Sequence, residues 1–334
     1  MATTLEQLVG AMLVVGLPDQ RLSAESAAHL RAIRAGGFIP FARNFSSPDQ
    51  FRLLLDDLAE ALGDRPWVMV DHEGGRVVRF ASGVTAFPDA LTVGRSRQPD
   101  DARRQGGIEA TELRALGVHV NLAPCVDVLM EGADPIIGTR SYGSDPRRVA
   151  AMSAARIQGL QSGGALACAK HFPGIGAAPN DPHKRLPTIP LGWGAMRATH
   201  LAPFLDAIRA GVATIMSSHV CYPQLEPSPM TPATFSRRLM TELLRQELGF
   251  TGLALTDDLE MGALRELCPI GEAAVRAVEA GHDVLLICSD AALQRQVFEA
   301  LCAAHRTGRL SRGVLEERAE RIAAVRRLPG ARAR

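Results

Sequence analysis

Two acidic residues, Asp257 and Asp258, close the apolar run GLALTDD at 252–258. A carboxylate at the end of a strand can attack an anomeric carbon and form a glycosyl-enzyme. Neighbours in an extended segment face opposite sides, so only one of the pair can serve such a site. Doublets also cap helices, and spacing alone leaves both choices open. A second candidate group lies in FPGIGAAPNDPHKRLPTIP at 172–190, where Asp181 and His183 stand two residues apart. A carboxylate bonded to an imidazole fixes its tautomer and raises its basicity. Such a histidine can protonate a leaving oxygen and later deprotonate a water. A contact that merely stabilises the loop is the alternative. The Gly and Pro content of this loop predicts movement at its ends.

Further polar residues follow other apolar runs. WVMVD leads into DHEGGRVVR at 71–79, where Gly74–Gly75 permits a tight turn. Asp71 and Arg79 can hold sugar hydroxyls through directional, charge-assisted hydrogen bonds. Glu73 and Arg76 read better as a structural ion pair. Asp127 follows HVNLAP, and Arg140 lies between Gly138 and Gly143 in a loop able to fold over a pocket. Lys170 and His171 come directly after ALACA, and lysine is rarely buried without a partner, so Lys170 is expected to face the pocket. His219 suits a core position as well as a site. Asp71, His171, His183, His219 and Asp257 include metal-ligating types, but HxH is missing from the first apolar run and HExxH from the chain. A metal site is therefore not expected, nor is a cofactor.

Eight apolar runs can supply strands to position these groups: 8–16, 36–41, 67–71, 119–124, 165–172, 213–220, 252–258 and 283–288. They are continuous rather than alternating, which suits strands covered on both faces. Between them, 49–62 and 145–161 repeat apolar residues at helical spacing, with Asp145–Pro146 marking a start. Gly281 ends the helix pattern of 273–281. Residues 315–328 read as a last helix, with a frayed end after Pro329. Strand and helix alternating eight times predicts an α/β fold, a single (β/α)8 barrel spanning 1–334. An open dinucleotide-binding sheet is the rival, but GxGxxG after a strand is missing. In a barrel all strands end on one face, so residues far apart in sequence converge there.

The 334 residues suit one barrel, and 46% hydrophobic residues can bury a large core. A formal charge of +1 gives no sign of a nucleic-acid partner. No apolar stretch reaches the length of a membrane span. The first twenty residues lack a basic start and carry Glu6, so they read as a first strand rather than a signal peptide. Six cysteines without CxxC spacing suit small buried side chains in a reducing compartment. A cytoplasmic location and a monomer are the expectations.

The chain resembles the single-domain β-N-acetylhexosaminidases of glycoside hydrolase family 3 that act in bacterial peptidoglycan recycling. The resemblance runs through FIPFARN at 38–44, VDHEGGRVVRF at 70–80, DPIIGTRSYG at 134–143 and AKHFPGIG at 169–176. It continues through DPH at 181–183, IMSSHVCYP at 215–223 and LRQELGFTGLALTDDLEMGA at 244–263. It implies Asp257 as nucleophile, His183 as general acid/base and Asp181 as its partner. It implies sugar binding by Asp71, Arg79, Arg140, Lys170 and His171. The implied substrate is a small carbohydrate, GlcNAc–1,6-anhydroMurNAc with or without its peptide, cleaved without cofactor or metal and with retention. The chain departs from the family pattern at Ile175, where KHFPGHG has histidine, at Pro182 inside D-S/T-H, and at His72, where glutamine is common. The first two bear on loop closure and leaving-group preference. A phosphorylase using the same glycosyl-enzyme, a β-glucosidase and a non-catalytic muropeptide sensor are the alternatives.

Overall fold

A computed structural model describes residues 3–328 of the chain. The expected frayed end after Pro329 lies outside the described residues. Eight parallel strands close into a barrel in sequence order. They are β1 (Leu13–Val15), β2 (Gly37–Phe38), β3 (Trp67–Val70), β4 (Val120–Asn121), β5 (Leu166–Phe172), β6 (Thr214–Ser217), β7 (Leu253–Asp258) and β8 (Val284–Ile287). The barrel closes where Leu13 pairs with Leu285 and Val15 with Ile287. The strands are buried almost throughout, as the unbroken apolar runs predict.

One element differs from expectation. Residues 8–16 are not a single strand: a helix spans Leu5–Ala11 and β1 starts only at Leu13. The Thr4 hydroxyl accepts from the Gln7 N–H while the Gln7 side chain accepts from the Thr4 N–H, a capping box that starts the helix. The other helices follow their sequence signals. Pro48–Leu62 starts on Ser47 and buries Phe51, Leu54, Leu55 and Leu58. Each such side chain contributes roughly 1.5–3 kcal/mol when fully buried. Asp145 caps Pro146–Ser162, Gly281 stops Ile270–Ala280, and the last helix spans Arg312–Arg326.

Pro146–Ser162 lies tightly against Pro99–Ala115. A Cβ on Gly159 would collide with the Arg103 carbonyl, so glycine permits the close approach. Buried Arg156 and Glu109 pair across this contact at 2.9 Å. The helix pair anchors the chain just after the loop that carries Arg140. Two register shifts then re-aim the strand ends: one between Lys170 and Phe172, the other between Leu255 and Asp258. No helix among the described residues is long and apolar enough to cross a membrane.

Candidate active site

A pocket of about 200 Å³ opens at the C-terminal ends of the strands, lined by polar groups from β5 and β7 and from the loops after β3, β4 and β5. It is smaller than the roughly 300–1,000 Å³ usual for drug-sized ligands, and suits one small ring. Asp71, Arg79, Arg140, Lys170, His171, His183 and Asp257 all line it. Asp181 stands behind His183 and bonds to it. The eight residues singled out in the sequence are thus brought together. Val77, Ile136 and Met216 add apolar wall.

The charged wall is built around a residue expected to be only structural. Glu73 is buried and lies 2.8 Å from Lys170 Nζ. It also accepts two 2.8 Å bonds from Arg140, through Nε and Nη2. Lys170, 2% exposed, donates to Asp71 as well, at 2.6 Å. Arg79 approaches the other Asp71 oxygen at 3.6 Å. Glu73 therefore bridges a β5 cation and a loop cation beside the pocket. Arg76, also expected to pair structurally, instead donates to the Pro135 and Ile136 carbonyls and tethers the same loop.

Burial opposes the charge of Glu73, but Arg140 and Lys170 outweigh it and hold the carboxyl well below its ordinary value. Its stabilising effect is therefore fully present above the unfolded value of 4.5 and is lost as pH falls through the lower folded value. Glu73→Ala is expected to cost about 3–5 kcal/mol, because two buried cations lose a shared partner. A denaturant midpoint measured at neutral pH checks this, and an unchanged midpoint contradicts it.

The strand doublet is resolved by placement. Asp257 lines the pocket, and its Oδ1 accepts from the Asp258 N–H at 2.8 Å. The Asp258 carboxylate instead accepts from the Glu260 and Cys288 N–H groups at 3.1 and 3.3 Å. Burial raises the Asp257 carboxyl, but the neighbouring histidines His171 and His219 and the Asp258 N–H together hold it below its ordinary value. Burial, Glu260 and Asp257 push Asp258 up to about 7. Two adjacent carboxyls with values driven apart can hold different protonation states near neutrality. His219 is a satisfied core residue, bonded to the Thr234 hydroxyl and donating to the Asp258 carbonyl at 2.9 Å.

Across the pocket, His183 Nδ1 bonds to Asp181 at 2.7 Å, and the His183 backbone N–H donates to the same oxygen. The imidazole is 56% exposed on its side chain, so its other nitrogen is free to meet a ligand or water. Burial works against the Asp181 charge, and the two His183 bonds lower its carboxyl nonetheless. The loop is docked on the chain just beyond β7: Gly262 N–H donates to the His183 carbonyl and Ala263 N–H to that of Pro182. A Cβ on Gly262 would sit 2.7 Å from the His183 carbonyl, so glycine makes this approach possible. Neither bond involves a side chain, which is why no sequence motif announced it.

His72 and Ile175, two of the departures from the family pattern, point away from this chemistry. Ile175 is buried in the core. His72 is buried against Phe80, and its Nδ1 accepts from the Arg79 N–H. Burial, with Arg156 and Arg79 nearby, lowers its value from 6.5 to about 4. Between those limits the unfolded chain takes up a proton that the folded one refuses, so this residue makes stability fall as pH falls from 6.5 to 4. His72→Gln is expected to flatten the pH dependence of the unfolding midpoint across that window; an unchanged slope contradicts it.

Comparison with known proteins agrees with this architecture. The pattern of the "Glycosyl hydrolase family 3 N terminal domain" matches residues 4–325. The chain belongs to glycoside hydrolase family 3. Among family 3 relatives, the β-hexosaminidase of Alkalilimnicola ehrlichii is 38% identical over 283 residues, covering 83% of this chain and 80% of that one. That of Stenotrophomonas maltophilia is 34% identical, covering 91% and 92%. A family 3 β-N-acetylglucosaminidase from a Paenibacillus species superposes with a TM-score of 0.95 at 36% identity. The match covers 99% of this chain and 63% of that longer protein. NagZ from Neisseria gonorrhoeae, solved with N-trifluoroacetyl-D-glucosamine, gives a TM-score of 0.79 at 30% identity, covering 94% and 97%. Within family 3 the chain stands among the bacterial β-hexosaminidases.

Proposed function

We propose that this family 3 hydrolase is a retaining β-N-acetylglucosaminidase that removes non-reducing terminal GlcNAc from GlcNAc–1,6-anhydroMurNAc and its peptides. One observation carries the reading: the Asp257 carboxylate and the Asp181-held His183 imidazole open onto the same small, polar pocket. The Asp257 oxygen attacks C1 while His183 gives a proton to the leaving oxygen, and the C1–O bond to the aglycone breaks. Water then loses a proton to His183, attacks C1 and frees Asp257, so two inversions leave β-GlcNAc. Asp71, Arg79, Arg140, Lys170 and His171 hold the sugar hydroxyls. The names of the relatives, and the glucosamine derivative bound by the gonococcal protein, favour a 2-acetamido sugar.

The barrel by itself is the catalytic unit in this reading, acting as a cytoplasmic monomer, a location that six free cysteines suit. The test is to incubate purified protein with GlcNAc–1,6-anhydroMurNAc, with and without phosphate, and identify products by mass spectrometry. Free GlcNAc in both conditions is the expected result. GlcNAc-1-phosphate dominating with phosphate present would make the protein a phosphorylase. No product in either condition would reject the substrate.

A further inference from the structure

We infer that Asp127 is a positioning residue for the sugar subsite: it holds His171 as the Nδ1–H tautomer, so that the ring offers Nε2 to the pocket as a hydrogen-bond acceptor. The inference rests on the reading of His171 as a sugar contact. Asp127 follows β4 and is fully buried. Its carboxylate meets four donors. Oδ2 lies 2.7 Å from His171 Nδ1, and 3.2 Å from both the His171 backbone N and the Cys125 thiol. Oδ1 accepts from the Ile175 N–H at 2.7 Å.

The opposite ring nitrogen decides the tautomer. His171 Nε2 lies 3.3 Å from Arg140 Nη2 in hydrogen-bonding geometry. A guanidinium has donors only, so Nε2 must carry its lone pair and the proton sits on Nδ1, facing Asp127. A sugar hydroxyl entering here takes over this contact: its O–H donates to Nε2, and its oxygen accepts the Arg140 Nη2 proton that Nε2 gives up. Orientation of this kind is how a buried carboxylate behind an imidazole acts on its outward nitrogen.

The same short segment fixes the neighbouring groups. The Asp127 carbonyl accepts from the Ser141 hydroxyl at 2.6 Å, next to Arg140. The Val126 N–H donates to the Lys170 carbonyl at 2.8 Å. Only a carboxylate suits the position, because four donors converge on it. An asparagine has one acceptor oxygen and would turn N–H groups toward some of them. If the amide N–H faces the ring, Nδ1 must become the acceptor and the proton moves to Nε2. There it opposes the Arg140 donor and removes the acceptor from the pocket.

The experiment compares 15N-histidine-labelled wild type and Asp127→Asn by long-range 1H–15N NMR without substrate. The His171 ring is assigned by its loss in His171→Gln. Expected are an Nδ1–H ring in the wild type and, in Asp127→Asn, a mixture in which an Nε2–H ring appears, from the amide orientation that turns N–H toward Nδ1. With an aryl β-GlcNAc substrate, kcat/KM of the variant should fall about 10- to 100-fold. A structural defect alone would not move the proton between nitrogens. A wild-type ring protonated on Nε2, or on both nitrogens, overturns the inference even if the variant fails to fold. So does a variant that keeps Nδ1–H alone, or whose kcat/KM stays within threefold. Should the wild type cleave no β-GlcNAc substrate, the proposed function fails separately, while the tautomer still decides the role of Asp127.

Discussion

Replacing Asp257 with asparagine should leave a folded protein that binds sugar and turns it over about 10⁴-fold more slowly, the scale of losing a covalent nucleophile. The amide oxygen can still accept from the Asp258 N–H, so the strand end keeps its shape. What goes is the charge that attacks C1. Asp258 cannot substitute, because its carboxylate is turned toward the Glu260 and Cys288 N–H groups and it does not line the pocket. Steady-state turnover of an aryl β-GlcNAc checks the loss. A smaller variant, Asp257→Gly, should regain activity with azide and yield the α-glycosyl azide, since azide then attacks from the vacated side. Activity of Asp257→Asn within tenfold of wild type would remove Asp257 from this role.

The second large effect belongs to His183. His183→Ala is expected to lower kcat by about 10²–10⁴ on the disaccharide, the usual contribution of a positioned acid/base. The loss should depend on the leaving group. A nitrophenolate departs without a proton, so the first step survives with that substrate and the glycosyl-enzyme accumulates as a burst. Asp181→Ala should fall between wild type and His183→Ala, because the imidazole keeps its place through the backbone bonds to Gly262 and Ala263 but loses its orienting carboxylate. Equal losses of kcat/KM, which reports the first step, for activated and unactivated leaving groups would contradict the acid role.

These expectations rest on groups legible in the sequence, because polar residues directly after apolar runs are costly unless they face a wet rim. Asp257, Lys170 and His171 follow that rule. The Asp181–His183 pair was readable as a local motif of two side chains. The N-terminal helix was hidden because LVGAMLVVG is apolar throughout, and a continuous run does not separate buried helix from buried strand. Only Thr4 and Gln7, a capping box before the run, carried the signal. Glu73 was undervalued since its partners, Lys170 and Arg140, lie on other elements. Asp127 was visible as a strand-end acid, but its hold on His171 spans 44 residues and depends on barrel closure. The docking of Pro182 and His183 on Gly262 and Ala263 uses backbone atoms alone.

The most direct test of the central claim is to trap the intermediate. A 5-fluoro glycosyl fluoride of N-acetylglucosamine slows both steps, and its good leaving group lets the first outrun the second. Peptide mapping of the inactivated enzyme should then place one 5-fluoro-GlcNAc unit on Asp257. An adduct on Asp258 or another carboxylate, or turnover of ordinary substrate with an inverted first product and no adduct, would contradict the account.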